Sequence, residues 1–208
     1  MELTTLTITD FTSLLGSDAP APGGGAAAAL TGALGAALCG MVANLTLGRP
    51  KYAEFEEEAA SAAEKAAQLR SQLLAAMDED AASYNGFMAA LALPKTTGEE
   101  KAARSAALQE ALLASTQAPL HTMELAAEVL QLTRSLIGRS NPNAVSDLAV
   151  SALSLKAAMQ GAWLNVLINI GSLKDPDQAE YFRARGGRLL AENVPLADEI
   201  YETVKKKM

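Results

Sequence analysis

Apolar residues recur along this chain in steps of three and four, and no stretch alternates apolar with polar as a half-buried strand would. That period predicts an all-α fold, an up-and-down bundle of about six long helices in a single domain over residues 1–208. A short first helix is expected over Thr9–Leu15. A loop rich in Pro and Gly (Ala19–Gly25) then opens onto an apolar helix that ends near Leu47, where Gly48 and Pro50 stop it. The third helix is expected from Lys51 to Leu93, with the stripe Tyr52, Phe55, Ala59, Ala62, Ala66, Leu69, Leu73, Ala76, Asp80, Tyr84, Phe87 and Leu91. Thr97 and Glu100 form a capping box at the start of a fourth helical region that reaches Leu136, with Pro119 as a break or kink. Asn141–Pro142 opens a fifth helix, to about Leu173. Asp175–Pro176 opens a sixth, expected to be disturbed at Gly186–Gly187 and Pro195.

Composition narrows the function classes. Alanine is abundant and aromatics are scarce, which suits closely packed helices. A formal net charge of −7 argues against a nucleic-acid-binding surface. The one cysteine, Cys39, rules out a disulfide within the chain, and the first residues lack the basic stretch and apolar core of a signal peptide. A cytoplasmic protein is therefore expected. Ala26–Leu47 is uncharged and long enough to cross a membrane. Its Ala/Gly content and its lack of flanking aromatics favour the centre of a bundle, so no membrane partner is expected. There is one histidine, His121, and no Cys/His/Asp cluster at metal-ligand spacing, so no metal is expected. His121 reads as a surface residue and Cys39 as a small core residue.

Three features are candidates for chemistry. Pro20–Ala21–Pro22–Gly23–Gly24–Gly25 leads straight into a helix. Its glycines let a ligand approach the backbone and leave the first N–H groups without a side-chain cap, a site for an anion; the plainer reading is a connector or a tight helix crossing. Asp80 lies on the apolar stripe of the third helix, where a carboxylate is costly unless paired, solvated or used, and where burial raises its pKa. Alternatively the stripe has drifted and Asp80 sits at its wet edge, with Asp78 and Glu79 as surface charges. The third feature is Asn141–Pro142–Asn143–Ala144–Val145–Ser146–Asp147. Asp147 falls in the first turns of a nearly uncharged helix, and on a wheel of ~3.6 residues per turn it shares a small, polar face with Ser154 and Asn165. A capping role would explain Asp147 but not Asn165.

Taken together, PAPGGGAAAAL (Pro20–Leu30), MVANLTLGRPKY (Met41–Tyr52), DEDAASYNGFM (Asp78–Met88), LPK (Leu93–Lys95), NPNAVSDLAVSAL (Asn141–Leu153) and GAWLNVLINI (Gly161–Ile170) resemble the cyclodeaminase/cyclohydrolase family. That family includes the C-terminal half of formiminotransferase-cyclodeaminase and stand-alone methenyltetrahydrofolate cyclohydrolases. The resemblance implies an all-helical homodimer with a folate site that uses neither metal nor nucleotide, and no other cofactor. One departure stands out: the family often has Ser after the triple glycine, where this chain has Ala26, so no hydroxyl role carries over to that position.

The implied reaction is hydrolysis of 5,10-methenyltetrahydrofolate to 10-formyltetrahydrofolate. The alternatives are cyclisation of formiminotetrahydrofolate with release of ammonia or, from another class, a non-catalytic helical scaffold or folate-binding module. On the enzyme reading, Asp147 acts as base or cation stabiliser, Asp80 as proton donor, and Asn165 orients water or substrate. Gly23, Gly24, Gly25, Asn143 and Ser146 are expected at the substrate. Arg49 and Lys51, and less strongly Lys95, are expected at its anionic glutamate tail. The scaffold reading expects Asp80, Asp147 and Asn165 to lie on wet surfaces and not to converge.

Overall fold

The computed structural model describes residues 2–208, and every regular element among them is helical. The helices are α1 (Ile8–Leu15), α2 (Gly24–Asn44), α3 (Glu56–Leu91), α4 (Gly98–Ser135), α5 (Val145–Ile170) and α6 (Pro176–Lys205). Five are long, while α1 has 8 residues. Three-residue or six-residue 3-10 turns precede α1, α3 and α5.

The starts follow from side chains that satisfy orphan N–H groups. Thr7 caps α1 by accepting from the Asp10 N–H. Thr97 and Glu100 form the reciprocal capping box of α4. The Asn141 side chain accepts from the Asn143 N–H before α5, and Asp175 accepts from Asp177 and Gln178 at the start of α6. The start of α2 is the exception: its N-cap is Gly23, with no side chain to offer.

Consecutive helices from α2 to α5 run antiparallel. Gly25 meets Asp80 and Gly40 meets Ala66 between α2 and α3, while Ser115 and Thr133 of α4 bond to Asn169 and Ser151 of α5. α5 also lies antiparallel to α2, where the Ser151 hydroxyl donates to the Gly35 carbonyl (2.8 Å). α6 packs outside α4 and α5. The main core joins fully buried Leu69, Leu73, Met123, Leu130, Leu148, Leu155 and Met159. α2 is apolar on every side because α3, α4 and α5 surround much of it. Cys39 is buried there, which pushes its thiol up to about 11 against a hydrogen bond to Thr133, and His121 is exposed.

Several boundaries differ from the sequence expectation. α2 stops at Asn44, α3 begins at Glu56 after a 3-10 turn, and α5 stops at Ile170. Asp78 is more than a surface charge: its carboxylate accepts from the Leu3 N–H and the Thr4 hydroxyl, and so ties down the N-terminal segment. Pro119 and Pro195 lie inside unbroken helices. Pro119 removes the N–H that would bond the Ser115 carbonyl, and the Asn169 amide of α5 takes that acceptor instead (2.6 Å). Gly186–Gly187 do not disturb α6. Gly186 is buried because the Trp163 ring lies flush against its Cα, in space a Cβ would occupy.

Gly186→Ala is therefore expected to lose about 1–3 kcal/mol of stability, by overpacking. The urea midpoint of the variant measures this, and Trp163→Leu in the same chain should return most of the loss.

Candidate active site at the start of the second helix

Because Gly23 cannot cap α2, the first turn of that helix needs an acceptor from elsewhere. Asp80 supplies it from α3: its carboxylate accepts the Ala26 N–H. This is the N3 amide that an N-cap side chain ordinarily serves. The carboxylate reaches it by lying over Gly25, where any Cβ would collide with Asp80 Oδ1 and Cγ. Gly25 is thus required by close approach. Ala26 itself is fully buried among Leu3, Phe11, Ala29, Ala76 and Met77, leaving only its amide for the site.

Asn165 approaches the same turn from α5. Its Nδ2 lies 3.7 Å from where a Gly24 Cβ would stand, and it donates to the Gly161 carbonyl one turn back (3.0 Å). That bond holds the amide in place and leaves Oδ1 to face the cleft. Between these groups lies a cleft of about 380 Å³, closed on α3 by Ser83, Tyr84 and Phe87, on α4 by Leu112 and Ser115, and on α5 by Ile168 and Asn169. Its walls are mostly apolar or aromatic with a few fixed polar groups, the usual character of a small-molecule site.

Asp80 is half-buried. Burial raises its pKa above the ordinary carboxylate value, and the Ala26 N–H opposes the rise without cancelling it. A carboxyl so placed holds its proton more firmly than a surface aspartate, which suits it to donate as well as accept one.

The expected site residues fall into two groups within one chain. Gly23, Gly24, Gly25, Asp80 and Asn165 line the same cleft. Asp147, Asn143, Ser146, Arg49 and Lys51 lie at the opposite end of the bundle. Asp147 is about five turns from Asn165 along α5, roughly 27 Å. Arg49 and Lys51 follow the far end of α2, where Tyr52 bonds Asn141 (3.1 Å) at the start of α5. Asp80 and Asp147 therefore do not form a two-carboxylate site in a single chain. The wheel that paired Asp147 with Asn165 gave the face and not the height. The scaffold reading fares no better, since Asp80 and Asn165 do converge.

Sequence reasoning passed over Asn169, Ser115 and Ser172 of the cleft. Asn165 and Asn169 stand one helical turn apart, a signal present in the sequence. The Ser115 carbonyl depends on Pro119, which the sequence presents only as a helix breaker.

The description formiminotransferase-cyclodeaminase belongs to the family model that matches residues 7–186. A methenyltetrahydrofolate cyclohydrolase of Methylorubrum extorquens is 44% identical over 202 residues, covering 97% of both chains. The rat formimidoyltransferase-cyclodeaminase is 35% identical over 88% of this chain, which spans 34% of that longer protein. The crystal structure of formiminotetrahydrofolate cyclodeaminase from Thermotoga maritima superposes with a TM-score of 0.81 at 28% identity, covering 99% of this chain and 96% of that one.

Asp80→Asn keeps an acceptor for the Ala26 N–H and removes the half-buried charge. A raised folded-state pKa means that the stability this group contributes is full below its unfolded pKa, about 4, and is lost as pH rises through the folded value. The variant should match the wild type near pH 3 and become the more stable protein as pH rises, by urea midpoints taken across that range.

Proposed function

This chain belongs to the formiminotransferase-cyclodeaminase family, and we propose that it hydrolyses 5,10-methenyltetrahydrofolate to 10-formyltetrahydrofolate in the cleft at the start of α2. The observation that carries the reading is the convergence of Asp80 and Asn165 on the glycine turn of α2. The higher identity to the cyclohydrolase, 44% against 35% for the rat formimidoyltransferase-cyclodeaminase and 28% for the Thermotoga maritima cyclodeaminase, favours hydrolysis over cyclodeamination.

The chemistry follows from the groups present. The methenyl carbon bridges two folate nitrogens and carries a delocalised positive charge, which an ionised Asp80 attracts. Water adds to that carbon, and Asp80 takes one of its protons. The bond from carbon to the 5-nitrogen then breaks, Asp80 returns its proton to that nitrogen, and the hydroxyl proton leaves to solvent as the formyl carbonyl forms. The Asn165 amide orients the water or the forming oxygen. No electrons change hands, so these steps call for proton transfer and positioning alone. In the cyclodeaminase direction the 10-nitrogen attacks a formimino carbon and ammonia departs, through a similar tetrahedral centre.

A homodimer is the second part of the proposal. α2 and α5 present a shared apolar face to solvent: Leu34 is 55% exposed, Leu164 66% and Ile168 73%, with Met41, Leu45, Val150 and Leu153 completing the stripes. A face of this extent is a feature of association surfaces. Ile168 belongs both to it and to the cleft wall, so a second copy seated there would lie at the cleft's mouth. Antiparallel apposition of the two α5 helices would set the Asp147 end of one subunit over the Asn165 end of the other. This supports a role for Asp147 that one chain alone does not.

Asp80→Asn should lower kcat on 5,10-methenyltetrahydrofolate by roughly 10²–10⁴-fold, followed as loss of methenyl absorbance above an enzyme-free control. Near-normal turnover would remove Asp80 from the mechanism. Formation of methenyl absorbance and ammonia from 5-formiminotetrahydrofolate, without hydrolysis, would assign the cyclodeaminase instead. For the dimer, Leu164→Lys should shift the sedimentation coefficient from that of a dimer to that of a monomer. A wild type that sediments as a monomer at all concentrations would contradict the proposal.

A further inference from the structure

Two prolines stand inside unbroken helices, Pro119 in α4 and Pro195 in α6. Each deletes one backbone bond of its helix and frees the carbonyl four residues earlier. The two freed carbonyls fare differently. Among the described residues, no side chain bonds the carbonyl of Ala191, ahead of the exposed Pro195. The carbonyl of Ser115, ahead of the buried Pro119, accepts the Asn169 amide in a short bond (2.6 Å) at the wall of the cleft. The proline that sits beside the cleft is therefore the one whose lost helix bond is put to use.

That bond orients Asn169. With Nδ2 spent on Ser115, the atom left over is Oδ1, and no group among the described residues donates to it. The residue is half-buried, and no buried polar side-chain atom among the described residues lacks a partner, so this oxygen is open to a ligand. Asn165 is turned the same way by the Gly161 carbonyl (3.0 Å). α5 thus lays two amide oxygens along the cleft, one turn or roughly 6 Å apart. Both are acceptors, so this face of the cleft asks its ligand for N–H donors.

We propose that Asn169 accepts a ring N–H of the pterin, and that Pro119 is the positioning residue that aims it. The inference deepens the folate reading of the cleft and rests on it. A reduced pterin carries N–H donors along its edge. Asn165 serves the reacting carbon, and Asn169, a turn further along α5, meets the ring. An Asn amide without an anchor can turn over, which would set Nδ2 against the same donor. The Ser115 carbonyl accepts from Nδ2 and repels Oδ1, so it removes the wrong orientation. Any other residue at position 119 would bring a backbone N–H that claims this carbonyl along the helix and weakens the anchor. The proline gives up a helix bond and fixes the sense of a recognition group.

The test measures equilibrium binding of tetrahydrofolate by calorimetry, which needs no turnover, with KM and kcat on 5,10-methenyltetrahydrofolate beside it. Asn169→Ala should weaken binding and raise KM by roughly fivefold, the worth of one neutral hydrogen bond, and leave kcat within about twofold. Pro119→Ala puts the best helix former into α4, yet should weaken binding by about threefold. In the Asn169→Ala background it should weaken binding no further, because the two residues act as one unit. Pro195→Ala, whose freed carbonyl serves no side chain, should change neither binding nor kcat. In the ligand-free protein, side-chain amide relaxation by NMR should show Asn169 rigid in the wild type and mobile in Pro119→Ala. Wild-type affinity in Pro119→Ala, or losses from the two substitutions that simply add, overturns the positioning role. Wild-type affinity in Asn169→Ala overturns the contact. The expected pattern of binding without turnover of either one-carbon substrate keeps the inference and overturns the reaction, while a wild type that binds no tetrahydrofolate overturns both.

Discussion

The site depends on one interaction, the carboxylate of Asp80 closing the open end of α2. A helix that starts on three glycines has no cap of its own, and its first amides need an acceptor. Asp80 reaches them from another helix only because Gly25 has no side chain, so the glycines and the aspartate are two halves of one arrangement. The same contact fixes the height of α3 against α2. That register recurs further along the pair, where Gly32 meets Leu73 and Gly40 meets Ala66. Burial then raises the pKa of the group that makes the cap. A structural necessity of the fold thereby yields an acid–base group at the mouth of a cleft.

The neighbouring helices complete the site by equally local means. Pro119 frees a carbonyl on α4 that Asn169 of α5 takes up, which fixes that side of the cleft. Asn165, one turn earlier, is held by its own helix at Gly161. Small residues at the crossings, Gly32 and Gly35 of α2 among them, bring the backbones close enough for these short polar side chains to reach. Alanine abundance therefore serves the site as well as the core.

Much of this is legible in the sequence where it is local. Thr97 with Glu100, Asn141 with Pro142, and Asp175 with Pro176 announce helix starts that the structure bears out. So do the apolar period of α3 and the misfit of Asp80 on its stripe. What the sequence could not convey is which distant group answers each local oddity. Gly186 looks like a helix breaker until Trp163 is seen against it, and Pro119 looks like one until Asn169 is seen to use the carbonyl it frees. Asp147 shares a helical face with Asn165, yet periodicity carries no information about distance along an axis. For the same reason the sequence does not show that Lys95, Lys101, Arg104 and Lys174, scattered along it, gather where two interhelical loops meet.

The most direct measurement is a crystal structure of the protein with bound 10-formyltetrahydrofolate. The account predicts the one-carbon unit within hydrogen-bonding reach of the Asp80 carboxylate and the Asn165 amide, with the pterin in the cleft beside Gly24 and Gly25. Folate bound away from that turn, with Asp80 serving only the Ala26 amide, would contradict it.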